Sequence, residues 1–390
     1  MKFAVVGSGP AALMFADTLA LAGIKVHIFE KRKGAAWKLF VAGSSGLNIT
    51  NSLPLTPFAE RYSEPHEFWE ECLKVFGPKE WIQFIEKTLD LGTFLGTSGR
   101  YFVETMHAAK LVRNWKRRLE SLGVQFLFDH ECVDFSSKES RIELNFSSQD
   151  SQSFDAVCFA LGGASWEAQE TPLRWPVLFT KKNIGFRAFT ACNSGFELAW
   201  TEAFLKEAEG KPLKNISFYS SKGELRGDLI VTSYGLEGTP IYTLGEVGRV
   251  FLDLKPDLSE AVILKKLSTV KENLSPLRRI NKVLNLGLAT KALLFHFAGT
   301  DNLENLEKLV RILKRFPLEL LRERPLTESI SSKGGILWSE LDESLMLKKH
   351  KNVYCIGEML NWDAPTGGFL IQGCVSQGFW CAQKILSSKK

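Results

Sequence analysis

The chain has 390 residues, of which 45% are hydrophobic and 24% are charged, a composition that excludes extensive disorder. No run reaches the roughly 18 apolar residues of a membrane-spanning helix, and the 49 Lys and Arg residues exceed the 44 Asp and Glu residues too slightly to identify a partner. The seven cysteines form no CxxC pair and no His/Cys cluster with metal spacing, which favours a cytoplasmic protein without a metal site.

The most informative pattern lies at the start of the chain. Residues 2–6 form a short run that is apolar after Lys2 and ends in two β-branched valines. This run predicts a strand rather than a signal peptide. Residues 25–29 predict a second strand, which ends at Glu30. Between the two strands a predicted helix runs to about Leu21 and stops at Gly23, and it is opened by the turn Gly7-Ser8-Gly9-Pro10-Ala11-Ala12.

This order of elements is typical of a dinucleotide-binding site, because each residue has a physical task there. Gly7 permits the tight turn, Gly9 lets backbone N–H groups approach a pyrophosphate, and Ala12 is small enough for the helix to pack on the strand. The positive end of the helix dipole would face the phosphates. Glu30 would accept hydrogen bonds from the ribose diol of the adenosine. The alternative is a glycine-rich turn without a ligand.

A second glycine-rich element, near the other end of the chain, favours FAD over NAD. Residues 352–356 predict a strand that ends in Gly357-Glu358, where it would contact the ribityl–pyrophosphate linker. Gly367 and Gly368 open a last helix that we predict to continue to about Leu386. Its N-terminus would face the O2 region of the flavin, where negative charge grows on reduction, and the two glycines would leave room for the ring. The alternative is a pair of structural turns.

Motifs along nearly the whole chain resemble those of the YhiN/BaiN-like flavoproteins, which are NAD(P)/FAD-dependent oxidoreductases. In chain order these motifs are GSGPAALMFADTLALAGIKVHIFEKR, KLFVAGSSGLNITNS, SGRYF, ALGGASW, ACNSGF, TSYGLEGTPIY, SISSKGG and GEMLNWDAPTGGFL. The resemblance implies an α/β fold, with a Rossmann-type domain made from both chain ends around noncovalently bound FAD. It also implies an inserted small β-barrel and a helical subdomain.

The resemblance and the residue patterns together divide the chain into three parts. We expect the FAD-binding domain at residues 1–184 and 331–390, the barrel at 185–258 and 317–330, and the helical insert at 259–316, with Ser259 and Asp301 as N-caps. By resemblance, a stretch with Lys38, Ala42, Gly43 and Asn48 wraps the diphosphate and the ring edge. The full set of expected cofactor contacts is Gly7, Ser8, Gly9, Pro10, Ala11, Ala12, Glu30, Lys31, Lys38, Ala42, Gly43, Asn48, Thr50, Gly162, Gly357, Glu358, Gly367, Gly368 and Phe369.

Candidate catalytic side chains are scarce, so the redox chemistry would come from the flavin. Only one dinucleotide fingerprint is present, and NAD(P)H would therefore dock transiently as the hydride donor. Asp363 is the only acid in the loop before the last helix and is the candidate proton donor or substrate-orienting residue, with capping of that helix as the alternative. Arg100 is a candidate anion ligand, with a surface position as the alternative.

The positive charge of the chain is concentrated in residues 259–316. This segment has 11 basic and five acidic residues, a net charge of +6, whereas the rest of the chain has a net charge of −1. A solvated helical face is one interpretation. The other is a docking surface for a polyanion such as structured RNA.

Three hypotheses about function follow. The first is a flavoenzyme that moves a hydride to or from a C=C or C–C unit of a conjugated small molecule. The second is an RNA-directed version, for example one that reduces a uracil ring. The third is a non-catalytic protein that binds FAD as a structural or sensing ligand.

Overall fold

The computed structural model describes residues 1–42, 46–63, 65–138, 141–166, 173–269 and 273–388. The chain divides into two compact units. Met1–Thr190 and Ile330–Lys390 form the two-ended unit, and Ala191–Ser329 form the inserted unit. None of the helices in the described ranges has both the length and the apolar character that crossing a membrane requires.

The first segment of the two-ended unit alternates strands and helices. Its elements are β1 Lys2–Val6, α1 Pro10–Leu21, β2 Lys25–Phe29, α2 Trp37–Ala42, β3 Asn48–Asn51, α3 Leu55–Ala59, α4 His66–Val75, α5 Pro78–Gln83, β4 Thr93–Leu95, β5 Arg100–Val103, α6 Ala108–Ser121, β6 Gln125–Leu127, β7 Cys132–Lys138, β8 Arg141–Phe146, β9 Ser151–Phe154, β10 Ala156–Phe159, α7 Trp175–Lys181 and β11 Phe186–Cys192.

The inserted unit follows, and the chain then returns to the two-ended unit. The elements of the inserted unit are β12 Phe196–Glu197, α8 Glu202–Ala208, β13 Pro212–Ser220, β14 Gly223–Val231, β15 Gly235–Glu237, α9 Thr239–Leu244, β16 Gly248–Asp253, α10 Glu260–Leu267, α11 Pro276–Leu284, α12 Leu288–Phe297, α13 Thr300–Glu304, α14 Leu306–Lys314, β17 Phe316–Leu320 and β18 Arg322–Glu323. The returning segment contributes β19 Ser331–Ile336, β20 Val353–Cys355 and α15 Phe369–Ser387.

A five-stranded parallel sheet, in the order β20-β10-β1-β2-β6, forms the centre of the two-ended unit. β10 is apolar throughout and β1 is apolar after Lys2, which is typical of parallel strands covered on both faces. The predicted strand, helix and second strand at the start of the chain are confirmed, as is the α/β class. Because β20 lies beside β10, both chain ends contribute to one sheet.

The last helix of the chain packs closely on the first. A Cβ atom added to Gly378 of α15 would lie 2.3 Å from the carbonyl oxygen of Ala11, which is at the start of α1. Only a glycine allows the two backbones to approach so closely. Ala11 is followed along α1 by Ala12, whose side chain is fully buried, as a small residue at this position of the fingerprint predicts.

The inserted unit contains a seven-stranded sheet in the order β17-β16-β13-β14-β15-β12-β18. Its two edge strands are separated in the chain by Leu321 alone. Its strands and helices share one hydrophobic core, to which Ile216 of β13, Leu293 of α12 and Leu309 of α14 all belong.

One of the two predicted N-caps is confirmed. The Ser259 hydroxyl accepts a hydrogen bond of 3.3 Å from the N–H of Val262 at the start of α10. The prediction for Asp301 is wrong, because the N-cap of α13 is Gly299 and Asp301 lies within that helix.

Candidate functional site

The turn after β1 has two glycines with different roles. Gly7 has a φ of +103°, and a Cβ atom there would lie 2.3 Å from the carbonyl oxygen of Ala160 at the end of β10. A Cβ atom on Gly9 would instead have no protein atom within 4 Å, so this residue borders open space. Gly9 is the N-cap of α1, no side chain caps that helix, and Pro10 occupies its first turn. The backbone N–H groups that follow therefore face an open position that suits a phosphate.

Glu30 lies beside this turn and is held by two hydrogen bonds. Its Oε2 accepts from the Ser8 hydroxyl at 2.5 Å, and its Oε1 accepts from the N–H of Arg32 at 2.9 Å. The Ser8 hydroxyl also accepts from the N–H of Ala36 at 3.1 Å. A carboxylate has about four acceptor positions, so each Glu30 oxygen keeps one for a ribose diol.

A cavity extends from this turn, and we call it the first cavity. Residues distant in the sequence line it together, as a dinucleotide site built from both chain ends requires. Those that the sequence analysis proposed are Gly7, Ser8, Gly9, Pro10, Ala11, Glu30, Lys31, Lys38, Gly162, Gly357 and Glu358. Those that it missed include Arg32, Trp37, His130, Arg174 and Trp175.

Two of the missed residues form a stack, and a third presents an unused donor. The Arg32 guanidinium lies 4.1 Å from the ring centroid of Trp37. The indole N–H of Trp175 is buried and has no hydrogen-bond partner among the residues that the structure describes. Local sequence patterns did not single out these residues, since each lies outside the glycine-rich turns.

The lining of the first cavity also contains a glutamate, Glu358, and a lysine, Lys38. Burial raises the pKa of Glu358 above the ordinary value of a glutamate, and the Lys38 ammonium and the N–H of Gly163 oppose that rise. The Lys38 Nζ also donates to the carbonyl oxygen of Gly163 at 2.7 Å. This arrangement offers a carboxyl group and a cation to the hydroxyl and phosphate groups of a ribityl–pyrophosphate chain.

The start of α15 is fixed against β3. Gly368 is the N-cap of α15 with a φ of +96°, and a Cβ atom on it would lie 2.6 Å from the backbone of Thr50. Gly367 has a φ of +119°, and its carbonyl oxygen accepts from the Asn51 side chain at 3.3 Å. Our expected reason for a glycine at position 368, room for a ligand, is therefore corrected: Thr50 fills that space.

Two unpartnered polar atoms lie in β3. Among the described residues, seven buried side-chain nitrogen or oxygen atoms have no hydrogen-bond partner, and two of them are Asn48 Oδ1 and Thr50 Oγ1. The unpaired atoms of Gln372 and Gln377 in α15 belong to amides that already bond the backbone of Phe76 and Gly357. Leaving such an atom unpaired costs about 1–3 kcal/mol. A polar ring with several donors and acceptors, such as a flavin, fits this set.

The remaining predicted contacts have varied positions. Ala42 is the exposed last residue of α2, and Gly43 lies outside the described residues. The ring centroid of Phe369 lies 4.7 Å from that of Phe58, and both side chains belong to the hydrophobic core of the two-ended unit. Arg100 pairs with Asn51 across β5 and β3, and its Nε lies 3.6 Å from the Cβ position of Gly367.

Asp363 lines a separate cavity, which we call the second cavity. The residue does not cap α15, whose N-cap is Gly368. Its backbone N–H donates to the Ser63 hydroxyl at 2.8 Å, and its carbonyl oxygen accepts from the N–H of Ser63 at 3.0 Å. The cavity is lined by Ser63, Arg187, Lys333, Gly334, Asn361, Trp362 and Asp363. In the ranges described, no group of three or more His, Cys, Asp or Glu residues is arranged to hold a metal ion.

Comparison with known proteins gives a family match and several distant relatives. The family model for the HI0933-like protein Rossmann domain matches residues 1–384. The chain is 20% identical over 403 residues to the ribosomal RNA dihydrouridine synthase of Escherichia coli (strain K12), an alignment that covers 99% of this chain and 98% of that protein.

Two solved structures are similar over nearly their full length and show the fold alone. One is the 3-ketosteroid-Δ4-(5α)-dehydrogenase of Rhodococcus jostii RHA1, with a TM-score of 0.54 and 11% identity, covering 98% of this chain and 96% of that one. The other is the 3-ketosteroid Δ1-dehydrogenase of Sterolibacterium denitrificans, with a TM-score of 0.53 and 11% identity, covering 99% of each chain.

The position of Glu30 predicts a large contribution to the binding of FAD. Glu30→Ala should raise the dissociation constant of FAD about 10- to 150-fold, because a charge-assisted hydrogen bond contributes about 1.5–3 kcal/mol. Titration of the apoprotein with FAD, followed by flavin fluorescence, measures this constant. Glu120→Ala removes an exposed acid from α6 and should leave it unchanged. Wild-type affinity in the Glu30 variant would contradict the ribose assignment.

The unpartnered Thr50 hydroxyl predicts effects of opposite sign on stability and on binding. Thr50→Val should stabilise the apoprotein, since it removes a buried unpaired group, and should weaken FAD binding about 2- to 10-fold through the loss of a hydrogen bond to the flavin. Thermal unfolding of the apoprotein and FAD titration measure the two effects.

Thr18→Val is the matched control, because the buried Thr18 hydroxyl already donates to the Met14 carbonyl oxygen at 2.9 Å. This control should lose stability. If Thr50→Val also destabilises the apoprotein and leaves the FAD affinity unchanged, the hydroxyl does not face the flavin.

Proposed function

The chain belongs to the HI0933-like family of FAD-dependent oxidoreductases, and we propose that it reduces a conjugated C=C bond with a hydride supplied by NAD(P)H. We further propose that the substrate is a uracil base in RNA, which the reaction converts to dihydrouracil. The observation that carries this choice of substrate is the similarity to a ribosomal RNA dihydrouridine synthase, which spans 99% of this chain, including the whole inserted unit.

The proposed reaction adds a hydride and a proton to the uracil ring. The C5=C6 bond of uracil is conjugated with the C4 carbonyl group, so a hydride adds to C6 and a proton adds to C5. NAD(P)H and one proton are consumed, and NAD(P)⁺ is released. FAD bound in the first cavity would supply the hydride-transfer chemistry between the donor and the base. No CxxC pair is present that would indicate a dithiol intermediate.

The protein residues bind and orient the reactants. In this proposal the N-terminus of α1 and Glu30 hold the pyrophosphate and the ribose, and Glu358 accepts hydrogen bonds from the ribityl chain. Asn48 and Thr50 bond the polar edge of the flavin, which satisfies atoms that otherwise have no partner. Asp363, in the wall of the second cavity, orients the substrate.

The basic helices of the inserted unit support an RNA partner. Some of their cations have internal roles: Lys314 pairs with Asp253 at 2.5 Å, and Arg279 donates to the Leu267 carbonyl oxygen at 3.1 Å. Six others are exposed and have no ion pair with any residue that the structure describes: Lys265, Lys266, Arg278, Lys282, Lys291 and Lys308. Because these six cations do not stabilise the inserted unit through ion pairs, they are available to neutralise phosphates.

The proposed reaction predicts a change of mass in RNA. Ribosomal RNA from cells that lack this gene should gain two hydrogen atoms at a uridine when it is incubated anaerobically with the FAD-loaded protein and NADH or NADPH. Nuclease digestion and mass spectrometry detect the gain. Boiled protein and RNA from wild-type cells are the controls. A flavin that either donor reduces quickly, without any modified uridine, would contradict the RNA substrate. A flavin that neither donor reduces would favour the non-catalytic hypothesis.

The exposed cations predict salt-dependent RNA binding by the inserted unit. Changing Lys265, Lys266, Arg278 and Lys282 together to Glu should weaken RNA binding and reduce the slope of log K against log salt by about 0.7–0.9 for each phosphate that the variant no longer neutralises. Filter binding at several salt concentrations measures both quantities, and the FAD content should not change.

The matched control reverses four exposed cations of the two-ended unit, Lys79, Lys87, Lys110 and Arg117, with the same change in net charge. If both variants lose the same affinity, the binding depends on net charge rather than on the helices. If neither loses any, RNA does not dock on them.

A further inference from the structure

The second cavity combines two cations with several polar groups. Arg187 and Lys333 line it, together with the Ser63 hydroxyl, the Asn361 amide and the Asp363 carboxylate. The proposed FAD contacts do not include these two cations. Among the described residues that line the cavity, Asp363 is the only acid, so these residues carry two positive charges and one negative charge.

The backbone places the two cations on paired strands. Arg187 belongs to β11 and Lys333 to β19, and these strands pair in a two-stranded sheet. Gly334 has a φ of +117°, and a Cβ atom there would lie 2.6 Å from the carbonyl oxygen of Ala188. This close approach of the two backbones requires a glycine directly after Lys333, so the strands that carry the two cations are held tightly together.

Backbone contacts also hold the other segments that line the second cavity. A Cβ atom on Gly335 would lie 2.4 Å from the carbonyl oxygen of Met359, and the N–H of Asn361 donates to the carbonyl oxygen of Ile336 at 2.8 Å. The hydrogen bonds between Ser63 and Asp363 attach a further segment. The cavity is therefore a preformed site rather than a gap between side chains.

The two cations have no partner of their own. Within the described ranges, the side chains of Arg187 and Lys333 form no hydrogen bond and no ion pair. An anion that binds in a cavity lined by two cations is attracted by both of them. Arg and Lys with a hydroxyl and an amide nearby are the groups that commonly bind phosphate.

The second cavity follows directly on the first along one short segment. Gly357 and Glu358 line the first cavity, and Asn361, Trp362 and Asp363 line the second. The indole N–H of Trp362 donates to the carbonyl oxygen of Gly357 at 2.8 Å and so connects the two walls. A group bound in the second cavity is thereby held at a defined position beside the cofactor segment.

We propose that the second cavity binds a phosphate group of the RNA substrate next to the target nucleotide, and that Arg187 and Lys333 are the positioning residues that hold it. This inference rests on the proposed function, because it takes the substrate to be a nucleotide of RNA. It assigns a site to the phosphate that is separate from the basic helices. The pyrophosphate of NAD(P)H has the same chemistry, so the experiment distinguishes the two sources.

The first test uses the FAD-loaded Arg187→Gln/Lys333→Gln double variant. The KM for RNA should rise about tenfold or more, since charge-assisted hydrogen bonds to one phosphate are lost. The slope of log K for RNA against log salt should fall by about one, while FAD content and the rate of flavin reduction by NAD(P)H stay unchanged. Lys87→Gln/Lys351→Gln removes two exposed charges of the same unit and is the matched control.

Two results of this test would overturn the proposal. One is an unchanged KM and salt slope for RNA in the double variant. The other is a slower reduction of the flavin by NAD(P)H with RNA binding unaltered, which would assign the cavity to the donor.

A second test needs no activity and separates this proposal from the proposed function. An amine-reactive reagent labels Lys333 in the holoprotein, and peptide mass spectrometry measures the extent of labelling. Uridine 5′-monophosphate should protect Lys333, and uridine should not. Protection in a protein that fails to modify RNA would retain the phosphate site and reject only the reaction. Equal labelling with and without uridine 5′-monophosphate would reject the site.

Discussion

The close contact between the first and the last helix holds the candidate site together. At Gly378 the backbone of α15 meets that of α1 at Ala11, where a Cβ atom would be 2.3 Å from the carbonyl oxygen. Gly357 also faces this point, with its Cβ position 3.1 Å from the Ala11 side chain. The fingerprint turn precedes α1, and Gly367 and Gly368 precede α15. The contact between the two helices therefore sets the distance between the two halves of the cofactor site.

The positions of the unpaired groups carry most of the functional argument. The hydrophobic core of the two-ended unit is continuous, yet among the described residues polar atoms without partners remain in β3 and at Trp175. The helices of the inserted unit carry exposed lysines and arginines that have no ion pair among the described residues. The first set suits a cofactor with a polar edge, and the second suits a polyanion, so the proposed flavin site and the proposed RNA-docking helices belong to different units, while the proposed phosphate site of the second cavity belongs to the two-ended unit.

Local patterns in the sequence were sufficient for part of this account. The strand, the turn, the helix and the acid of the fingerprint lie within 30 residues, and their spacing alone predicted the structure that we find. The reason for Gly368 could not be predicted in this way, because its neighbour Thr50 is more than 300 positions away. The presence of Arg187 and Lys333 in one cavity depends in the same way on two paired strands that the inserted unit separates in the chain.

Hydrogen–deuterium exchange with and without FAD tests most directly whether both chain ends build one cofactor site. Our account predicts that FAD slows exchange at the same time in residues 7–12 and 30–38, in β3, and in residues 357–369. The protection should appear at the same FAD concentration in every segment, since one ligand contacts them all. Protection limited to the N-terminal fingerprint, with unchanged exchange in β3 and residues 357–369, would contradict the account.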